Sequence, residues 1–444
     1  MGVRVNRSRF LCAALIATVT LLSALHLRYN LTQFITVEDA QMENLLRLTS
    51  TIKSDIIENL YAKSSAQLLS GAKVSQSLRD LLFNLHPLKE VILPLFILDP
   101  DLLDCLDQED CSGYNLSRPL QLGVFTNSGS LEYFQGLNWT PKLIRNNSVI
   151  EARKDQFTVQ LFEIRPRHNY WFIPGLRDGE SSALFPPQAS IWAIEETRIF
   201  GPEDPGFFAE QVRFSRFREC NRTLAEGFRK SNANASRTIT RDQFKGLTIL
   251  RDFLMDRQII SFLNGGTLLG WYRECDVIPY TSDIDLALSA QFWSPQLEED
   301  LINMPDPFLL WTALGLPENG LEYTVYYGKL RIDLFFIYPF NSTSEWLGGM
   351  IPSQKVKLRY TYPIMSSNLC TAELWEELFF IPCNFLDVIP TDYGPNWSTP
   401  IHQSKYSWFQ SPHNVQQLGK WSDSEWPKAY RSNFKKHSPT SATS

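Results

Sequence analysis

Apolar residues follow three patterns along the chain. The first is an uncharged run from Phe10 to Leu25, preceded by Arg4, Arg7 and Arg9 and closed by His26–Arg28. It approaches the ~20 residues of a spanning helix and exceeds the core of most cleavable signals. It predicts a signal anchor over 10–27, with the basic residues 1–9 on the cytosolic side and the remainder in the lumen. The second pattern covers 28–90, a polar stretch with helically spaced Leu45, Leu46, Ile52, Ile56, Ile57 and Leu60, which reads as a helical stem. The third begins at Val91. Short strand-like runs at Val91–Leu98, Leu120–Phe125, Phe157–Ile164 and Ser190–Ile194 are separated by loops and suggest a small, non-catalytic α/β stem domain over 91–218.

A polar linker is expected over 219–240, and the texture changes after it. Phe244, Leu247, Leu250, Phe253 and Leu254 share one helical face, and Ile259–Leu263 reads as a strand. Asn264-Gly265-Gly266-Thr267 is a turn leading into a helix, and Asp283–Leu288 alternates as a strand. Leu321–Tyr326 and Lys329–Tyr338 predict a hairpin around Tyr327-Gly328. The fold class is α/β: anchor, stem with a small α/β domain, then a mixed-sheet catalytic domain over 241–431 and a polar tail over 432–444.

Composition narrows the classes. Across 444 residues, 43% hydrophobic and 20% charged content is ordinary for a globular chain and rules out wholesale disorder. The net charge of −6 disfavours a nucleic-acid partner, which needs a basic face. Sequons at Asn115, Asn138, Asn146, Asn221, Asn234, Asn341 and Asn396 fit a secretory route. Cys12 lies in the apolar run, and the other six cysteines allow up to three disulfides. Cys105–Cys111 and Cys370–Cys383, nearest in sequence, are the expected pairs. No cysteine or histidine spacing suggests zinc.

Three features carry chemistry. Gly265-Gly266-Thr267 joins a strand to a helix, where backbone N–H groups and the helix dipole favour phosphate. An ordinary strand–helix turn would explain the glycines alone. Asp283 and Asp285 lie two apart on a strand and project from one face. Two such charges ~4 Å apart repel by about 4 kcal/mol at an effective dielectric near 20. A divalent cation held by oxygen ligands, Mg2+ or Mn2+, relieves this; a solvated strand end is the plainer alternative. Asp99-Pro100-Asp101 repeats the pair but lacks the turn and a third acid. Asp333 lies within Leu330, Ile332, Leu334, Phe335 and Phe336. A carboxylate buried there needs a metal or a salt bridge to an arginine.

The order Gly-Gly-Thr, Asp-x-Asp, strand Asp resembles the polymerase-β-like nucleotidyltransferase superfamily. The stretch from Phe262 to Leu286 is more specific and resembles the signature of the LicD/fukutin family. Arg216–Cys220, Pro382-Cys383, Asp392–Pro395, Ser411–Val415 and Ser424–Trp426 echo the same family, so the resemblance covers roughly 216–430. It implies Asp283, Asp285 and Asp333 as magnesium ligands and catalytic residues. It implies a donor site at Gly265, Gly266, Thr267, Arg273, Tyr280 and Thr281, although Thr281 departs from the acidic residue of some relatives. Asp333 would also accept the proton of the attacking hydroxyl.

The activity implied is transfer of an alditol phosphate, ribitol 5-phosphate from CDP-ribitol or a related CDP-alditol, to a glycoprotein O-glycan. Its setting would be the Golgi, as a single-pass type II membrane protein, alone, as a homo-oligomer or with other glycosyltransferases. Phosphocholine or glycerol phosphate transfer, and an inactive glycan-binding scaffold, are alternatives. A nucleotidyltransferase acting on a nucleotide or RNA fits the charge and the expected compartment less well.

Overall fold

The computed structural model describes residues 66–68, 73–85, 95–125 and most of 130–434; within the latter, 131–133, 136, 146–147, 195–196, 232–236 and 402–404 are excepted. The chain divides into two compact units, Met1–Arg213 and Phe214–Ser444. The expected anchor over 10–27, the cytosolic 1–9 and the helical positions of the stem lie outside the described residues. Among the described residues no helix is long and apolar enough to cross a membrane. Arg241–Met255, with 15 residues, extends only ~22 Å against a hydrocarbon core of ~30 Å. The expected fold is corrected to α/β with mixed sheets and, among the described residues, no helix long and apolar enough to cross a membrane, and the single-pass Golgi placement is withdrawn with it.

In the first unit an eight-stranded sheet runs in the order Ala66–Leu68, Ala189–Ile194, Thr197–Pro202, Phe96–Ile97, Leu120–Val124, Phe157–Glu163, Val149–Lys154, Thr140–Ile144. Leu122, Leu161, Phe162 and Ile173 are fully buried in its core. Asp99 caps the helix Pro100–Asp107: its Oδ1 accepts from the N–H groups of Asp101 and Leu102 at 3.1 and 3.0 Å. Here the Asp-Pro-Asp pair serves as a helix start. Cys105 and Cys111 are bonded beside it.

The second unit opens with β1 (Phe217–Arg218) and α1 (Arg222–Ser231), the latter within the stretch expected as linker. α2 (Arg241–Met255) starts at a capping box between Thr240 and Gln243. It buries Phe244, Leu247, Leu250 and Leu254, each contributing about 1.5–3 kcal/mol. β2 (Ser261–Leu263), α3 (Gly265–Glu274), β3 (Asp283–Ser289) and α4 (Pro295–Ile302) follow. Five strands come next: β4 (Phe308–Leu316), β5 (Asn319–Tyr327), β6 (Leu330–Pro339), β7 (Ser344–Ile351) and β8 (Val356–Pro363). The chain then adds β9 (Leu369–Leu374), β10 (Glu377–Pro382), α5 (Phe385–Tyr393), β11 (Val415–Lys420) and β12 (Tyr430–Ser432).

Among the described residues these strands form one mixed sheet, with a path β1-β9-β10-β2-β3-β6-β5-β4-β12 and a branch from β6 through β7 and β8 to β11. The predicted hairpin is β5–β6, with Tyr327 opposite Leu330 and Gly328 in the left-handed region at φ +57°. The expected Cys370–Cys383 bond ties β9 to the end of β10, and Cys220–Cys275 links the segment before α1 to the end of α3.

Candidate active site

The register of β3, β6 and β5 sets the site. β3 and β6 are parallel, with Asp283 opposite Arg331 and Asp285 opposite Asp333. β5 is antiparallel to β6, with Thr324 opposite Asp333 and Glu322 opposite Phe335. Alternation puts Asp283, Asp285, Arg331, Asp333, Glu322 and Thr324 on one face. The apolar residues between them, such as Ile284, Leu286, Ile332 and Leu334, are fully buried on the other. The polar face floors a cavity of 540 Å³ lined by Asp283, Asp285, Glu322, Arg331 and Asp333.

The glycine turn is stitched to this face. Gly265 has φ +50°, and a Cβ there would stand 2.8 Å from Asp285 Oδ2. Asp285 Oδ2 accepts the Gly266 N–H at 3.0 Å. The Asp285 N–H donates to Thr267 Oγ1 at 2.8 Å, and the Asn264 N–H donates to the Asp285 carbonyl at 3.1 Å. Gly265 and Gly266 line the cavity. Thr267 is buried and holds the strand rather than facing the opening.

The other expected donor-site residues have identifiable partners. Thr281 Oγ1 donates to Asp283 Oδ1 at 3.0 Å, which orients that carboxylate. Arg273 is buried; its guanidinium donates to Glu274 Oε1 at 2.6 and 3.2 Å and to the Trp397 carbonyl at 3.0 Å. Tyr280 donates its hydroxyl to the Ile401 carbonyl at 3.0 Å. Arg273 and Tyr280 thus anchor the segment that carries Trp397 and Ile401, and both line the cavity.

Asp333 takes the arginine alternative. Its Oδ1 accepts from Arg331 Nε at 3.0 Å and from the Thr324 hydroxyl at 2.8 Å, and its Oδ2 lies 2.8 Å from Arg331 Nη2. The charge of Arg331 also reaches Asp283, Asp285 and Glu322. Burial raises Asp333 above the carboxylate range, against the opposing pull of Arg331. Burial, then the charges of Asp283 and Asp333, hold Asp285 well above it. Burial, then Asp333, does the same for Glu322.

Among the described residues no three acids, cysteines or histidines stand together as a metal-holding group. The donor chemistry nonetheless fits a hard cation: the acids outnumber the arginine, and the buried Asn264 Oδ1 lining the same cavity has no hydrogen-bond partner. Asp283 and Asp285 are the residues that would hold it, with Asp333 joining only by loosening its grip on Arg331.

Sequence reasoning missed Glu322 and marked Asp392 only as part of a family motif, without a role in the site. Glu322 was visible as the polar member of Leu321-Glu322-Tyr323-Thr324-Val325. Asp392, at the end of α5, is buried in the cavity wall, and burial pushes its carboxyl up to about 7 against a hydrogen bond from Tyr362. No local pattern announces that burial.

A mixed sheet with strand carboxylates beside a glycine turn and helix start is the arrangement expected of a nucleotidyltransferase-type domain. Residues 258–375 match the family model described as LicD/FKTN/FKRP, nucleotidyltransferase domain. Mouse ribitol-5-phosphate transferase FKTN is 34% identical over 254 residues, covering 54% of this chain and 52% of that protein. Its human counterpart is 31% identical over 247 residues, with the same coverage. An uncharacterised Caenorhabditis elegans protein is 28% identical over 347 residues, 76% of this chain and 82% of its own length. Over residues 258–375 the chain thus matches the LicD-type domain that its signature residues suggested, and over about half its length it is similar to the FKTN transferases.

Proposed function

We propose that the second unit is a glycan phosphotransferase that moves an alditol phosphate, ribitol 5-phosphate from a CDP-linked donor, to a hydroxyl of a glycoprotein glycan. The observation that carries this is the meeting of Asp283, Asp285 and Asp333 with the Gly265-Gly266 turn in one cavity. The likeness to the ribitol-5-phosphate transferases named above supports the choice of alditol.

The donor diphosphate would lie over the glycine turn, where Gly266 lets a backbone approach closely. Asp283, oriented by Thr281, and Asp285, oriented by Gly266, would hold Mg2+ or Mn2+. When bound, the cation neutralises the diphosphate and the charge that develops on the departing nucleoside monophosphate. Asp333, Arg331 and Glu322 set the field beneath them. Arg273 and Tyr280 keep the wall formed by Trp397 and Ile401 in place against the donor. Both oxygens of Asp333 already face Arg331 or Thr324, which makes it a poor acceptor for the hydroxyl proton.

The test is to incubate the full chain with CDP-ribitol, CDP-glycerol or CDP-choline, with Mg2+ and candidate glycan acceptors, and to follow CMP release. CDP-ribitol is expected to be used best, EDTA to stop release, and Asp283→Ala to abolish it in a folded protein. Release by Asp283→Ala at the wild-type rate would defeat the reading.

A further inference from the structure

The proton of the attacking hydroxyl needs an acceptor, and Asp333 is engaged. Across the cavity, α5 ends at Asp392 and Tyr393. The Tyr393 hydroxyl lies 3.7 Å from where a Cβ on Gly266 would stand, so the end of α5 faces the glycine turn. Asp392 is 7% exposed and lines the same cavity. Its carboxyl accepts the Tyr362 hydroxyl, while its backbone carbonyl takes the His413 N–H at 2.9 Å.

Titratable groups surround Asp392. Tyr360 and Tyr362 come from β8, and each feels the charge of Asp392. Tyr393 on α5 and Tyr406 on the following loop do as well, and their rings stack at 5.7 Å. His413 packs its ring against Gly394. The phenols remain protonated at neutral pH, because burial raises all four. Asp392 is the carboxyl of this nest that lines the cavity.

We propose that Asp392 is the proton acceptor for the glycan hydroxyl in the transfer reaction, a role that rests on the phosphotransferase reading above. The hydroxyl oxygen forms a bond to the donor phosphorus and its proton passes to an Asp392 carboxyl oxygen. The bond from phosphorus to the bridging oxygen breaks, and its electron pair leaves with the nucleoside monophosphate. A carboxylate lifted to about 7 by burial is a stronger base than an ordinary one and is still substantially ionised at neutral pH.

The full chain, as wild type, Asp392→Asn, Asp392→Glu and Tyr362→Phe, is assayed with CDP-ribitol and a glycan acceptor across pH 5–9. Folding is followed by thermal melting and CMP binding by titration. Asp392→Asn is expected to keep a cooperative thermal melt and to bind CMP like wild type, to lose kcat by about 10³-fold with donor KM unchanged, and to lose the acidic limb of the kcat profile. Asp392→Glu restores part of kcat. Tyr362→Phe removes a bond that favours the ionised carboxylate, so its limb moves to higher pH; this readout stands if Asp392→Asn fails to fold. A folded Asp392→Asn with kcat within threefold of wild type, or a limb unmoved in Tyr362→Phe, overturns the proposal. Wild-type turnover with a retained limb in Asp392→Asn defeats it alone. A wild type that binds CMP but turns over no CDP-linked donor defeats the transferase reading and this role with it.

Discussion

Gly265→Ala and Gly266→Ala differ by one methyl at adjacent positions, yet the structure assigns them opposite consequences. Gly265 sits at φ +50°, where a side chain costs about 1–2 kcal/mol. Its new Cβ would stand 2.8 Å from Asp285 Oδ2, so Asp285 must swing away and lose its bond from the Gly266 N–H. A hydrogen bond to a charged group contributes a further ~1.5–3 kcal/mol. The total, roughly 2.5–5 kcal/mol, lowers the melting temperature of a unit this size by about 5–20 °C. At Gly266 a Cβ would meet Asp285 Oδ2 at 3.6 Å and the Tyr393 hydroxyl at 3.7 Å, ordinary contact distances on a helical backbone. Gly266→Ala should melt at or up to about 4 °C above wild type, since Ala favours helix over Gly by up to ~1 kcal/mol, while weakening CDP-ribitol binding about tenfold by filling the floor that the diphosphate approaches. Scanning calorimetry on the transition of the second unit, paired with donor titration, reads both. Equal melting of the two variants would refute the account of the turn, and a Gly266→Ala that binds donor like wild type would refute the placement of the diphosphate.

Three further outcomes are expected. Arg331→Met removes the guanidinium paired with Asp333; because that side chain is 41% exposed, the buried-pair cost of ~3–5 kcal/mol is discounted to about 2 kcal/mol. Losing the cation raises the folded carboxyls further, so urea melts should show a larger deficit at pH 8 than at pH 5. Thr281→Val removes the hydroxyl that orients Asp283 and should lower kcat about tenfold with the melting temperature unchanged, measured by CMP release beside calorimetry. Asp392 is held up to about 7 from 3.8, so its contribution to stability is present below pH ~4 and is lost as the pH rises through 7, on the order of 4 kcal/mol; Asp392→Asn should flatten that part of the stability–pH curve in urea melts.

The sequence made visible the elements whose pattern is local. Period-two alternation placed Asp283 and Asp285 on one face, and the glycine pair marked the turn beside them. Asp333 was legible as a buried acid with two candidate partners, a metal or an arginine. The choice depended on Arg331, two residues away on the same face of β6, and the structure pairs them. Glu322 and Asp392 became site residues only through tertiary placement, since β5 must pair with β6 and α5 must end across the cavity from the glycine turn. Cys220–Cys275 was hidden for the same reason, its partners 55 residues apart. Arg273 and Tyr280 lie at the cavity as expected, but their bonds to Trp397 and Ile401 belong to a loop over 100 residues away in sequence, beyond any local spacing. The short helix α1 formed in a polar stretch where no apolar stripe predicted it.

The central claim is that the carboxylate face and the glycine turn together support phosphate transfer from a CDP-linked donor. Its most direct measurement is CMP release from CDP-ribitol by full-length wild type and by Asp285→Asn, with Mg2+ and acceptor present and folding verified for both. The account predicts acceptor-dependent release by wild type and at least a ~10³-fold loss in the variant. Equal release by the two proteins would contradict it.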